Sequence, residues 1–194
     1  MMKFHQDMAN SPKVLVELGM GDGRLLKTIS ENDHDNNSFY IGIEVDKSQY
    51  EQAISQIKLV NVKLLNGSFE DILPAFSDNS LYRVISVLPD PKYIDQLKEH
   101  KWKYLYKIVY EKLKNYGTLE LVTEITDDLL QEVSDQVYNK WIEWLKSTFQ
   151  SMGFKRVTSR EGAPPEYSSR CIDQFRADPK RIRMVTLDLK KIIY

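Results

Sequence analysis

The sequence predicts an α/β fold, a mostly parallel seven-stranded sheet flanked by helices with an antiparallel last strand. Three observations predict it. Short apolar runs alternate with stretches of helical spacing from residue 13 to residue 123; the first run ends in glycines at every second position; and two strand-like runs near the end of the chain are joined by a proline-containing connection. Parallel strands need crossovers, and regular alternation of strand and helix supplies them.

Lys13 to Leu18 is a short apolar run ending in glycines, the pattern of a buried strand, and Arg24 to Ser30 follows with helical spacing through Leu25, Leu26 and Ile29. Ser38 to Val45 is a second strand, Lys47 to Ile57 a second helix, and Val62 to Leu65 a third strand. Leu81 to Leu88 is the fourth, stopped by Pro89 and Pro91, which have no N–H to give to a ladder. Those prolines place Asp90 just beyond a strand end. The lysine-rich segment from about Tyr93 to Lys114 includes a helix ended by Asn115-Tyr116-Gly117. Thr118 to Thr123 is the fifth strand, with Leu119 and Leu121 on one face and Glu120 on the other. Asp135 to Met152 is a long amphipathic helix whose apolar face is Val137, Trp141, Trp144, Leu145 and Phe149, aromatics that read as core packing. Lys155 to Ser159 and Ile182 to Leu189 close the sheet as an antiparallel pair around Ala163-Pro164-Pro165-Glu166.

With 194 residues and 42% hydrophobic content, the chain has the size of one domain over residues 1–194. It contains no run of about 18 apolar residues, and Met1 to Asp7 lacks the apolar core of a secretory signal, so a cytoplasmic protein with no membrane partner is expected. Cys171 is the only cysteine, and His5, His34 and His100 are scattered without ligand spacing, so neither a disulfide nor a metal is expected. The net charge of -1 is unevenly distributed: -5 over residues 1–90, +4 over 91–114, -5 over 115–154 and +5 over 155–194. The two basic segments form a phosphate-facing patch if they meet in space; otherwise they are a solvated helix and a charged tail.

The glycine turn carries the chemistry. Dinucleotide folds space their glycines G-x-G-x-x-G, whereas Gly19, Gly21 and Gly23 alternate behind an acidic residue, Glu17. S-adenosylmethionine has no phosphate but carries an ammonium and a sulfonium, which a carboxylate at a strand end suits; the same carboxylate would repel a pyrophosphate. Glu44, at the end of the second strand, stands where an acidic side chain accepts both ribose hydroxyls. After the third strand, Ser68, Phe69 and Glu70 stand where such folds hold adenine, Phe69 as the flat apolar side chain and Glu70 as acceptor for the exocyclic amine; Leu88 joins the cofactor side. These features predict a Rossmann-like class I methyltransferase arrangement with S-adenosyl-L-methionine as the expected cofactor. At the fourth strand end, Leu88-Pro89-Asp90-Pro91 presents a carboxylate able to accept from N1 and N2 of guanine as a pair, making Asp90 the candidate catalytic residue. Guanine N7 has a free lone pair, so its methylation needs alignment and no proton removal.

The sequence resembles the bacterial tRNA (guanine-N7-)-methyltransferase family from about Val14 onward, through Val16-Glu17-Leu18-Gly19-Met20-Gly21, Tyr40-Ile41-Gly42-Ile43-Glu44-Val45, Leu88-Pro89-Asp90-Pro91 and Thr123-Glu124. The resemblance implies transfer of a methyl group to N7 of a guanosine in tRNA, with substrate contacts at Pro91, Lys92, Lys101, Lys103, Thr123, Glu124, Glu166, Tyr167 and Ser168. It implies tRNA or another structured RNA as partner, and a monomer or homodimer. Departures fall on the substrate side. Leu88 and Lys92 replace an aromatic on each side of the Pro-Asp-Pro, lysines replace an arginine-rich run, and the family's Thr-x-x-Glu motif aligns with Pro165-Glu166-Tyr167-Ser168. Gly19-Met20-Gly21-Asp22-Gly23-Arg24 with Phe39 to Ile43 also looks like the small ribosomal RNA adenine-N1 methyltransferases, which lack Pro-Asp-Pro. A small-molecule or protein methyltransferase, and a cofactor-binding RNA module without turnover, are the remaining alternatives.

Overall fold

The computed structural model describes residues 12–33, 37–127 and 129–193; the start at Met1 to Asp7, and with it His5 and His34, lie outside the described residues. Strand β1 (Lys13–Leu18) leads into helix α1 (Arg24–Asn32), β2 (Ser38–Glu44) into α2 (Lys47–Gln56), and β3 (Val62–Asn66) into the one-turn helix α3 (Phe69–Ile72). After β4 (Leu81–Val87) come two short 3-10 turns and α4 (Glu99–Lys112), then β5 (Leu113–Thr126), α5 (Asp135–Ser151), β6 (Arg156–Glu161), α6 (Arg170–Arg176) and β7 (Ile182–Lys190). The sheet order is β3-β2-β1-β4-β5-β7-β6, parallel from β3 to β5, with β7 antiparallel to both of its neighbours.

Alternation along the strands sorts their side chains between two layers. Val16, Leu18, Val84, Leu119 and Leu121 join the core that includes Trp102, Leu105 and Tyr106 of α4 and Trp141, Leu145 and Phe149 of α5. Leu15 clusters with Leu26 of α1 and Ala53 of α2, while Ile85 and Val122 cluster with Leu25 of α1 and Ile172 of α6. Both faces of the central strands are covered, which is why they read as largely apolar runs. Trp102 and Tyr106 of α4 and Phe149 of α5 are among the largest fully buried side chains, and Trp102 lies edge-on to Tyr106 at 5.6 Å and to Trp144 at 6.1 Å. Each fully buried ring contributes about 2–3 kcal/mol by removing its surface from water.

Local expectations shift at four places. Val137 is half exposed, and the buried stripe of α5 runs through Tyr138, Trp141, Ile142, Leu145 and Phe149 instead. Helix α4 stops at Lys112, and β5 starts at Leu113 rather than Thr118, because Leu113 pairs with Leu81 before an irregularity in the ladder; the turn signal at Tyr116 (φ 66°) is absorbed inside the strand. Helix α6, capped by Ser169 and burying Ile172, occupies a connection expected to hold no element. The basic segments meet where Lys191, 3% exposed, reaches the end of α4, and there the ammonium is spent on carbonyls: Nζ donates to those of Tyr110 (2.9 Å) and Leu113 (2.8 Å) and to Asn79 Oδ1 (2.9 Å). Elsewhere in the tail Arg183 pairs with Asp135 and Glu161, and Arg160 with Glu120 and Asp188. Several of the tail's cations are therefore committed internally, whereas on α4 the exposed Lys101 and Lys107 make no ion pair among the described residues.

A candidate active site at the carboxyl ends of the strands

The strand order reverses between β1 and β4, the position at which sheets of this kind open a crevice beyond their carboxyl ends. Leu18 is in register with Ile43 of β2 and Ser86 of β4, so the glycine turn after β1 lies between the loop after β2 and the Pro-Asp-Pro turn after β4. The N–H groups of Gly19 and Met20 both donate to the Ile43 carbonyl, at 2.9 and 3.0 Å. Gly23 has φ 79°, and a Cβ there would lie 2.8 Å from Ile57 Cδ1 and 3.0 Å from Ala53 Cβ, so its bare Cα is what lets α2 close on the turn. Gly19, with φ 69°, differs: a Cβ there would meet nothing within 4 Å, so its backbone faces open space.

Glu44 braces this turn. Its Oε2 accepts from the Gly21 N–H and its Oε1 from the Asp46 N–H, each at 2.8 Å, and the residue is 8% exposed. Its backbone carbonyl accepts from the Gly67 N–H and from Asn66 Nδ2, which ties the loop after β3 to the same strand end. Each carboxylate oxygen keeps lone-pair capacity for a second donor.

Glu17 is 3% exposed, and its Oε2 has no hydrogen-bond partner. Burial raises its pKa to about 8; the charges of Asp22 and Glu44 push the same way, against a hydrogen bond from the Leu26 backbone. At neutral pH this side chain is thus mostly protonated until a cation comes to its free oxygen. A second pair of orphaned groups lies across β4. Leu88 N–H donates to the Val122 carbonyl, and just beyond, Thr123 Oγ1 and Glu124 Oε2 are buried without partners. Burial raises Glu124 to about 7.

Asp90 lies just beyond β4 as expected, exposed and oriented by its own turn: Oδ1 accepts from the Lys92 N–H at 3.0 Å, and Lys92 Nζ stands 3.6 Å from Oδ2. Leu88 adopts φ 49°, a left-handed conformation disfavoured for a branched side chain, and packs beside Val87 and Val122. Ser68 caps α3, and the ring of Phe69 lies 5.0 Å from that of Tyr93. Glu70 is held from the segment after β4. Oε2 accepts from the Tyr93 hydroxyl at 3.1 Å and Oε1 accepts from the Tyr104 hydroxyl, one donor to each oxygen, so the tyrosines fix the side chain expected to accept from adenine. Nothing in the sequence near Glu70 marks those partners, which lie 23 and 34 residues away.

Of the substrate-side residues, Pro91 and Lys92 adjoin Asp90, Thr123 and Glu124 face the same strand ends, and Lys101 is exposed on α4. Lys103 is tied to Glu99 at 2.8 Å. Tyr167 is corrected: it is 2% exposed, in the core beside Leu25 and Ile172, and its hydroxyl accepts from Arg83 Nη2 at 2.9 Å, so its side chain packs with Arg83 rather than at the carboxyl ends of the strands. Arg83 also pairs with Glu120 at 3.1 Å, and Arg83, Glu166 and Tyr167 line a cavity of about 410 Å³ together with Lys13 and Ser38, which begin their strands. That cavity lies by the amino-terminal ends of β1 and β2, away from the glycine turn. Ser168 Oγ donates to Asp173 at 3.3 Å, within the turn that starts α6. Among the described residues no group of His, Cys, Asp and Glu side chains is arranged to hold a metal ion, and no helix is long and apolar enough to cross a membrane.

Residues 11–170 match the model of the Methyltransf_4 family, described as "Putative methyltransferase". No curated protein matches the chain. Among solved structures, an antibiotic-related methyltransferase superposes with a TM-score of 0.64 at 19% identity, covering 98% of this chain and 96% of its own. TYW2 of M. jannaschii, solved with AdoMet, gives 0.58 at 20% identity over 95% of this chain and 71% of its own. The phosphoethanolamine methyltransferase 2 of Haemonchus contortus, solved with S-adenosylhomocysteine, gives 0.63 at 11% identity over 95% of this chain; the chain spans 50% of that protein's length. At these identities the likeness is one of fold, a seven-stranded class I methyltransferase sheet with antiparallel β7.

Proposed function

The chain belongs to the Methyltransf_4 family, that of the tRNA (guanine-N7-)-methyltransferases, and from that premise we propose that it methylates N7 of a guanosine in tRNA, in the cytoplasm, as a monomer or homodimer. The observation that carries this reading is the Pro89-Asp90-Pro91 turn, which sets an exposed, backbone-oriented carboxylate at the switch point beside the glycine turn.

The residues present fit S-adenosylmethionine. An unpartnered, buried Glu17 oxygen suits an ammonium; Gly19 leaves room for close approach; and Glu44, fixed by two amides, has lone pairs left for ribose hydroxyls. Ser68, Phe69 and Leu88 line the adenine and sulfonium sides of the same crevice in this reading. When bound, the cofactor supplies an electrophilic methyl on its sulfonium. Asp90 accepts from N1–H and N2–H of the guanine edge, which orients the base and stabilises the positive charge that builds on the ring as N7 is alkylated. N7 carries no proton, so no general base is required and the side chains need only hold the ring in line. Thr123 and Glu124 present unpaired polar atoms to the same base, and the exposed lysines of α4 neutralise phosphates.

Nucleoside mass spectrometry of tRNA incubated with the protein and labelled cofactor tests this. Labelled 7-methylguanosine is the expected product; 1-methyladenosine in ribosomal RNA instead would transfer the chain to the adenine-N1 enzymes, and no transfer to any RNA would refute the proposal.

A further inference from the structure

One hydrogen-bonded cluster joins the cofactor side of the crevice to the exposed face of α4, and its meaning rests on the methyltransferase reading above. At its centre is Glu70, in the first turn of α3, immediately after the Ser68-Phe69 pair. Tyr93 and Tyr104 both donate to it, one to each oxygen. Tyr93 follows Asp90 by three residues, its ring packs on Phe69, and Lys92 Nζ lies 4.7 Å from its centroid while also pairing with Asp90. Tyr104 is 46% exposed and stands between Lys101 and Lys107, three residues to either side and therefore on one face of the helix. An exposed ring between two cations is a surface on which a nucleobase stacks while its phosphates are neutralised. The same ring holds, by its hydroxyl, the loop that follows β3.

We propose that Tyr93 and Tyr104, acting through Glu70, are positioning residues that couple the cofactor loop to the nucleic-acid face of α4, so that RNA and cofactor strengthen each other's binding. RNA that immobilises the Tyr104 ring also immobilises Glu70 and the turn carrying Ser68 and Phe69. The cofactor then meets a loop already ordered, and by linkage the cofactor tightens RNA to the same degree. Phenylalanine at either position keeps the ring and its stacking and cuts the link.

The test is the dissociation constant of S-adenosylhomocysteine, measured by titration calorimetry without and with saturating bulk tRNA, for the wild type, Tyr104→Phe and Tyr93→Phe. The wild type is expected to bind at least about fivefold more tightly with tRNA, the lower end of typical couplings, and each variant less than about twofold. The ratio is formed within one protein, so a uniform loss of stability in a variant cancels from it. Variants that keep the wild-type ratio, or a wild type that binds both ligands without coupling, overturn the proposal. A wild type that binds no S-adenosylhomocysteine even without tRNA overturns the cofactor reading first, and the coupling with it.

Discussion

Replacing Glu17 by glutamine keeps its shape and removes its titration, which makes the buried carboxyl's role measurable in the ligand-free protein. In the folded chain its pKa lies at about 8, against 4.5 when solvated, with burial as the main cause. Between those values the native state holds a proton that the unfolded state has released. Wild-type stability is therefore full below the unfolded pKa and is lost as pH rises through the folded one. At about 1.4 kcal/mol per unit, roughly 3 kcal/mol is missing at pH 7, roughly 4 at pH 8 and close to 5 well above it. Urea unfolding of wild type and Glu17→Gln at pH 4.5, 7 and 8.5 reads this directly: the two coincide at the lowest pH, and the variant is the more stable by about 3 kcal/mol at pH 7. A cation pairing with Oε2 reverses the preference. S-adenosylhomocysteine binding at pH 7 is expected to release about 0.9 proton from the wild type and none from the variant, detectable as buffer-dependent heats. A stability difference that stays flat across pH refutes the argument, whatever the binding data show.

Other substitutions probe the remaining parts. Gly23→Ala forces a side chain into a left-handed conformation against Ile57 and Ala53, and is expected to lower stability in urea by about 2 kcal/mol; an unchanged midpoint would mean α2 can retreat freely. Glu44→Ala removes the brace on Gly21 and Asp46 and should weaken S-adenosylhomocysteine binding by about 1–3 kcal/mol in calorimetry. Asp90→Ala should lower methyl transfer to tRNA at least about 100-fold with cofactor affinity nearly intact, and equal turnover in that variant removes Asp90 from the chemistry. Lys191→Met leaves carbonyls at the end of α4 without their donor, at a cost of about 3 kcal/mol in thermal or chemical unfolding.

The sheet and the glycine turn were legible because their signals are local: a run of one polarity, a glycine spacing, a proline that cannot join a ladder. Helix α6 was not, since seven residues give barely two turns and only Ile172 is buried. The early start of β5 depends on Leu113 reaching Leu81, a contact between strands that no window around Asn115-Tyr116-Gly117 contains. The site divides in the same way. The positions of Glu17 and Glu44 at strand ends are visible in the sequence, but the raised pKa of Glu17 comes from burial, and the hydrogen bonds to Glu70 come from two distant tyrosines. Aligning Tyr167 with a substrate motif failed because its hydroxyl found Arg83, whose position on β4 only the packed fold brings near. Likewise, charge counting located two basic segments, and only the folded chain shows that Arg160 and Arg183 of the tail are paired with Asp188, Asp135 and Glu161.

Glu44 is immobilised by main-chain donors from two separate loops before any small molecule arrives. Its rotamer freedom is surrendered during folding, so a ligand that meets it gains the contact with little further ordering. The same rigidity makes the position intolerant. A carboxylate anchored at both oxygens cannot pivot toward a sugar that lacks one hydroxyl or sits a fraction of an ångström aside. Deoxy analogues should therefore lose affinity in proportion to the missing group, with no compensating adjustment by the protein.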